Sequence, residues 1–162
     1  MRKDEDMSMS YPRLAAKTLR FTLGHPRNIA ISADGRYVRF IRTADGMSRI
    51  GQLWELDTHT GTERLRVDPS ALLSGNEELS EAEQARRERA RESAAGLTSW
   101  ASDKNGDKAC FVLSGQLFFL DFASDSPEAL PSVGAVFDPR LSPDGTCIAY
   151  ANAEGEFRVL DV

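Results

Sequence analysis

Apolar and polar residues alternate along this chain in short runs, and the runs return in one order. A polar turn ending in Gly leads into an alternating apolar strand, and a second strand then closes on Leu-Asp. The first copy is Ser32-Ala33-Asp34-Gly35-Arg36-Tyr37-Val38-Arg39-Phe40 with Gln52-Leu53-Trp54-Glu55-Leu56-Asp57. A looser second copy is Asn105-Gly106-Asp107-Lys108-Ala109-Cys110-Phe111 with Gln116-Leu117-Phe118-Phe119-Leu120-Asp121. The third is Ser142-Pro143-Asp144-Gly145-Thr146-Cys147-Ile148-Ala149-Tyr150 with Glu156-Phe157-Arg158-Val159-Leu160-Asp161. Alternation at period two predicts strands, and Asp-Gly predicts tight hairpins because Gly tolerates a positive backbone angle.

The intervening segments complete these units. Asn28-Ile29-Ala30-Ile31 and Glu63 to Val67 flank the first copy and make four strands. Leu97 to Ala101 and a weak strand near Ala129-Leu130 flank the second, and Val133 to Pro139 leads into the third. Ahead of them, Leu14, Ala15, Leu19 and Phe21 are spaced for a short helix over Pro12 to Thr22, with Pro in its first turn and Gly24 and Pro26 to stop it.

A strand-turn-strand unit that recurs at this interval buries its faces only against its neighbours, which is the mark of a propeller or related array. The expected fold is therefore all-β, an incomplete β-propeller of about two to three blades with one inserted charged α-helix. Residues 1–11 read as a disordered start, and 12–162 as the partial propeller. Blade one covers about residues 27–68, a helical arm about 70–95, blade two about 97–131, and the start of blade three about 135–162. Closed propellers have about four to eight blades, so the chain is expected to be a fragment or truncated product, the front of something longer.

The repeat spacing is broken in one place. Gly35 and Gly106 lie 71 residues apart, whereas Gly106 and Gly145 lie 39 apart. Between them, Glu77 to Glu92 holds six Glu and four Arg. Ser80 and Glu83 form a capping box, and Glu83 and Arg87 sit four apart in the favourable order, which predicts a helix from about residue 81 to 94.

Composition narrows the function. The 162 residues are 41% hydrophobic with a net charge of -5, which argues against a nucleic-acid partner. No apolar run is long enough for a membrane span, and the first twenty residues lack a secretory leader. Cys110 and Cys147 fall in strands of different blades and are expected to be free, partly buried thiols in a cytoplasmic protein.

Candidate chemistry is sparse. The chain has no Gly-x-Ser-x-Gly elbow, and Gly46-Met47-Ser48-Arg49-Ile50-Gly51 has one residue too many. His25 and His59 sit beside turns without companions at ligand spacing, so no metal and no cofactor are expected. Asp34, Asp144, Asp57, Asp121 and Asp161 recur at equivalent positions and are expected to cap their own turns. Arg86, Arg87, Arg89 and Arg91 suit a solvated helix face, or an arm presenting a planar guanidinium to a carbonyl or carboxylate.

The stretch from Leu79-Ser80 through Arg86-Arg87-Glu88-Arg89-Ala90-Arg91 to Gly96-Leu97-Thr98-Ser99-Trp100 resembles a distinct family. It is similar to the N-terminal propeller of the dipeptidyl peptidase IV branch of the prolyl oligopeptidase family of serine peptidases, the bacterial type above all. There an Arg-Glu-Arg-x-Arg helix precedes a Gly-Ile-x-Ser-Tyr strand. The resemblance implies a parent enzyme that removes dipeptides from peptides with Pro or Ala second. Its propeller filters access and helps hold the peptide's amino terminus beside a C-terminal α/β-hydrolase domain. It also implies a substrate-contacting arginine at Arg87, Arg89 or Arg91, and allows a homodimer. The chain departs from the family by lacking the later Glu-Glu segment and the hydrolase domain, so no catalytic residue is assigned and the chain alone is expected to be inactive. The Asp-Gly turns equally suit a non-catalytic propeller resembling TolB or WD40-like interaction modules.

Overall fold

The computed structural model describes residues 10–72, 95–124 and 126–162. The expected helix over 81–94, its capping box and its arginines lie outside these residues, as does nearly all of the expected disordered start.

Helix α1 (Tyr11–Lys17) begins with Pro in its first turn but ends earlier than the apolar spacing predicts. The Thr18 hydroxyl donates to the Leu14 carbonyl and accepts the Phe21 N–H, a local bonding pattern that competes with continued helix. Leu19, Arg20 and Phe21 then all adopt left-handed backbone angles. The Gly24 N–H donates to Thr43 Oγ1 and moors the segment to the first sheet.

Strands β1 (Arg27–Ile31), β2 (Tyr37–Thr43), β3 (Ile50–Asp57) and β4 (Glu63–Val67) form an antiparallel meander, blade 1. After a single helical turn, α2 (Pro69–Leu72), the described chain resumes at β5 (Ala95–Gly96). Blade 2 is β6 (Trp100–Ser102), β7 (Lys108–Leu113), β8 (Gln116–Asp121) and β9 (Glu128–Ala129). Blade 3 comprises β10 (Val136–Leu141), β11 (Cys147–Asn152) and β12 (Phe157–Asp161). The pairs Tyr37 with Asp57, Lys108 with Asp121 and Cys147 with Asp161 set one common register, so positions in the three blades can be matched one to one.

Alternation decides which side chains meet. Ile41, Leu53 and Val67 point from blade 1 toward blade 2, where they pack on Ala109, Phe111, Leu113, Phe118 and Leu120. The opposite face of blade 2 carries Cys110 and Leu117, which pack on Val136, Ile148 and Tyr150 of blade 3. Blade 2 is apolar on both faces, which explains its near-continuous hydrophobic runs Ala109 to Leu113 and Leu117 to Leu120. Each fully buried Leu or Phe contributes about 1.5–3 kcal/mol of burial. Three stacked sheets with two cores between them make an incomplete β-propeller.

The turns join the blades as well as the strands. Ser32 Oγ accepts the Tyr37 N–H, Ser142 Oγ accepts the Cys147 N–H, and Asp103 Oδ1 accepts the equivalent Lys108 N–H. An Asp at the first turn position therefore does what Ser does, and the looser second copy folds alike. The Ala33 N–H donates to the Asn105 carbonyl at 2.8 Å, and the Lys104 N–H to the Pro143 carbonyl at 3.0 Å, linking each turn to the next blade's.

One pairing was absent from the strand pattern. β5 runs parallel to the start of β3, with Ile50 opposite Ala95 and Gly51 opposite Gly96, and the Leu97 N–H donates to the Gly51 carbonyl. Leu97, expected to begin a strand, instead plugs the core between blades 1 and 2, and the strand starts at Trp100. A Cβ at Gly51 would collide with the Leu97 carbonyl oxygen, a backbone atom that cannot step aside. Gly51→Ala is therefore expected to lower stability by about 1–3 kcal/mol or more. Gly61→Ala, where nothing lies within 4 Å, costs less despite its left-handed backbone; the urea midpoints of the two variants decide this.

Candidate functional site

The joint between blades 1 and 2 carries polar constellations at both ends. At the turn end, β3 directs Glu55 inward at a position where alternation calls for an apolar side chain, and β2 directs Arg39 beside it. Arg39 Nε lies 2.6 Å from Glu55 Oε2, Arg64 2.7 Å and Arg66 3.4 Å from Oε1. Arg39, Arg66 and Glu55 are almost wholly buried, while half of Arg64 is in solvent.

Two buried guanidiniums against one carboxylate leave positive charge to be satisfied by other means. Arg39 donates to the Gly106 carbonyl and Arg66 to the Phe122 carbonyl, both on blade 2. The Phe122 ring completes the cage, 3.6 Å from the Arg39 guanidinium carbon and 5.1 Å from that of Arg66. This hub spans the joint and ties β2, β3 and β4 to the next blade. It opens into a cleft of about 430 Å³ lined by Ser32, Asp34, Tyr37, Arg64, Asp107 and Asp121.

The cleft's groups are committed to structure. The Ser32 hydroxyl donates to Asp34 Oδ1 at 2.6 Å, and that carboxylate also accepts the Arg36 N–H. The Ser32 hydroxyl, and after it the Arg36 N–H, hold the Asp34 carboxyl below the usual carboxylate range. Asp144 is lowered in the same way, by the hydroxyls of Ser142 and Thr146 and then by the Thr146 N–H. Burial pushes Asp57 up, and the N–H groups of His59 and Thr60 together with Arg36 outweigh it. Asp121 accepts the Ala123 N–H. Four of the five recurrent aspartates thus cap their own turns as expected. Cys110 is free and buried, with its thiol pushed up to about 12 by burial.

At the opposite end of β1, Arg27 Nη2 donates to the Leu97 carbonyl and Asn28 Nδ2 to the Thr98 carbonyl, both at 3.2 Å. Trp100 Nε1 returns a bond to the Asn28 carbonyl at 2.9 Å. Asn28 holds a left-handed angle at a bulge in β1, where the register against β2 shifts. Here the inserted segment re-enters the fold, and both its flanks, α2 and β5, rest on β3. The predicted Arg87, Arg89 and Arg91 lie outside the described residues. His25 and His59 are exposed, with His25 beside a separate cavity of about 260 Å³. Among the described residues no group of His, Cys, Asp and Glu is arranged to hold a metal ion, and no helix is long and apolar enough to cross a membrane.

No protein-family model matches the chain. Solved structures do share its fold. TolB from Acinetobacter baumannii superposes with a TM-score of 0.54 at 16% identity, over 83% of this chain and 29% of that one. The tricorn protease gives 0.53 at 18% identity, over 85% and 12%. A putative TolB from Agrobacterium tumefaciens gives 0.50 at 16%, over 83% and 41%. The chain is a propeller segment spanning between 12% and 41% of the length of these structures.

The Glu55 hub escaped the sequence reading, although its signal was present: charged residues at two inward, period-two positions, Arg39 and Glu55, in facing strands. Removing the carboxylate leaves two buried cations without their counter-charge, so Glu55→Gln is expected to cost about 3–5 kcal/mol. Arg64→Ala, at the solvent edge, is expected to cost under about 1 kcal/mol; chemical denaturation of both variants measures the contrast. The lowered aspartates predict an acid limit. Their charged forms are favoured in the folded state, so their contribution is present above the ordinary value of about 3.9 and lost as pH falls through the lower folded values. The melting temperature should fall steadily below about pH 4, and less steeply in an Asp34→Asn/Asp144→Asn variant.

Proposed function

We propose that this chain is the substrate-gating and substrate-holding propeller segment of a serine dipeptidyl peptidase. The observation that carries the reading is where the inserted segment joins the fold. The stretch with Arg87, Arg89 and Arg91 leads at once into Gly96-Leu97-Thr98-Ser99-Trp100, and the clip of Arg27, Asn28 and Trp100 fixes that junction between two blades. In this reading Arg87, Arg89 and Arg91 are the substrate-contacting groups. Their planar forks suit the backbone carbonyls of a bound peptide, where two parallel N–H bonds give direction as well as strength. The likeness to part of the tricorn protease agrees with such a wall serving a protease.

In this reading the propeller restricts entry and orients the peptide. Bond cleavage needs a nucleophile, a base and oxyanion donors, and these belong to an α/β-hydrolase domain. A second reading, a TolB-like module that binds other proteins and performs no chemistry, draws on the two TolB likenesses.

Titration with a Gly-Pro-containing tetrapeptide bearing a free amino terminus, followed by tryptophan fluorescence, separates the two. The peptidase reading expects weak saturable binding that disappears in the Arg87→Ala/Arg89→Ala/Arg91→Ala variant. No binding, or binding indifferent to those substitutions, leaves the interaction-module reading. The chain alone is expected to release nothing from a Gly-Pro chromogenic amide, and turnover stopped by a serine-directed inhibitor would contradict the assigned division of labour.

A further inference from the structure

The two blade joints are built on one plan, and they differ at the end remote from the turns. The Leu97 N–H donates to the Gly51 carbonyl and the Val136 N–H to the Gly115 carbonyl, so the chain enters blades 2 and 3 in the same way. Counted back from the turn residues Ser32, Asp103 and Ser142, Asn28 matches Ser99 and Asp138, and Ile29 matches Trp100 and Pro139. The clip of Arg27, Asn28 and Trp100 closes the first joint with three planar N–H donors. In the second joint Thr98, Ser99 and Pro139 hold those places, and a proline has no N–H to give. The bulge has also changed sides: β6 pairs with β7 in unbroken register, while β10 shifts between Phe137 and Arg140.

Where the clip would be, the second joint has a cavity of about 170 Å³. Val136 and Pro139 are its buried part, with Val112 and Phe137 half-buried beside them, and Ser99 and Asp138 are exposed at its mouth. We propose that this cavity is a binding site for a guanidinium group. Asp138 offers a carboxylate, which a planar fork meets with parallel N–H bonds. Phe137 and the apolar floor suit the weakly hydrated faces of a guanidinium better than the tight hydration shell of an ammonium.

The neighbouring joint forms the same combination from within. At its turn end the Arg39 guanidinium lies between Glu55 and the Phe122 ring, and at its far end Arg27 donates to the Leu97 carbonyl, whose counterpart here belongs to Val136. Arg140 already meets Asp138 at 2.7 Å, but the two side chains are 66% and 72% exposed, and a solvated pair of this kind is weak enough to exchange partners. Arg140 is therefore a competitor for the site. The site lies between blades 2 and 3 and does not depend on the peptidase reading.

Titration of the isotope-labelled whole chain with methylguanidinium, followed by amide NMR shifts, tests this. The expected result is saturable millimolar binding with shifts centred on Ser99, Phe137 and Asp138. Methylurea, of the same shape but neutral, and methylammonium, charged but not planar, should each bind at least about tenfold more weakly, the loss of one charge-assisted bond. Asp138→Asn should weaken methylguanidinium about tenfold, Phe137→Leu a few-fold, and Arg140→Ala should tighten it. Ser99→Arg, at an exposed position, supplies the group from the chain itself and should displace the added ligand. Unliganded spectra confirm that each variant is folded. A blocked Gly-Arg-Gly peptide that binds more tightly than methylguanidinium assigns the group to a peptide, and one that binds no better assigns it to a small free compound. No saturable shift at these residues, equal binding of methylurea or methylammonium, or indifference to Asp138→Asn would overturn the site.

Discussion

A sheet with apolar side chains on both faces is stable only between two other sheets, and blade 2 is such a sheet. Phe111, Phe118 and Leu120 face one way, Cys110 and Leu117 the other, and all are buried. Everything else in the molecule follows from supplying those two covers. Blade 1 turns Ile41 and Leu53 toward it, blade 3 turns Ile148 and Tyr150, and Leu97 fills the space left where the chain crosses from one blade to the next. Non-directional apolar contact would let the sheets slide. What fixes their offset is the polar pinning at the turn end, where backbone N–H groups and the cations of Arg39 and Lys108 reach carbonyls of the following blade.

The Glu55 hub is the costliest of those pins. Burying Arg39 and Arg66 around a single carboxylate contributes little net stability compared with an apolar core of the same volume. Its effect is selectivity: the guanidiniums accept one geometry relative to the Gly106 and Phe122 carbonyls, and a shift of blade 2 along the joint breaks both of these bonds. The second joint has Lys108 and its own apolar cluster.

Strands, turns and their common register were legible because each is written locally, in alternation at period two and in Asp-Gly at the hairpin. The capping role of Asp34, Asp57, Asp121 and Asp144 was legible for the same reason, since each bonds an N–H no more than three residues away. The parallel pairing of Gly51 with Gly96 was not, because it joins positions 45 residues apart through backbone atoms that leave no mark except a Gly with no room for a Cβ. The early end of α1 depended on one hydroxyl, Thr18, choosing the Leu14 carbonyl. The Arg39–Glu55 pair was visible as charge at inward positions, but its meaning depended on Phe122 and Gly106 from the next blade.

These differences bear on how function is divided in the chain. Several polar groups of the joint are engaged by one another: the Ser32 hydroxyl by Asp34 and Tyr37, Glu55 by its arginines, Asp34 by its own turn. Asp34, its carboxyl held low by the Ser32 hydroxyl and the Arg36 N–H, is a poor base at neutral pH, because each proton transfer first breaks a bond that the fold uses. In the proposed function, binding falls to side chains outside the blades. The proposed function assigns that role to Arg87, Arg89 and Arg91 of the insertion.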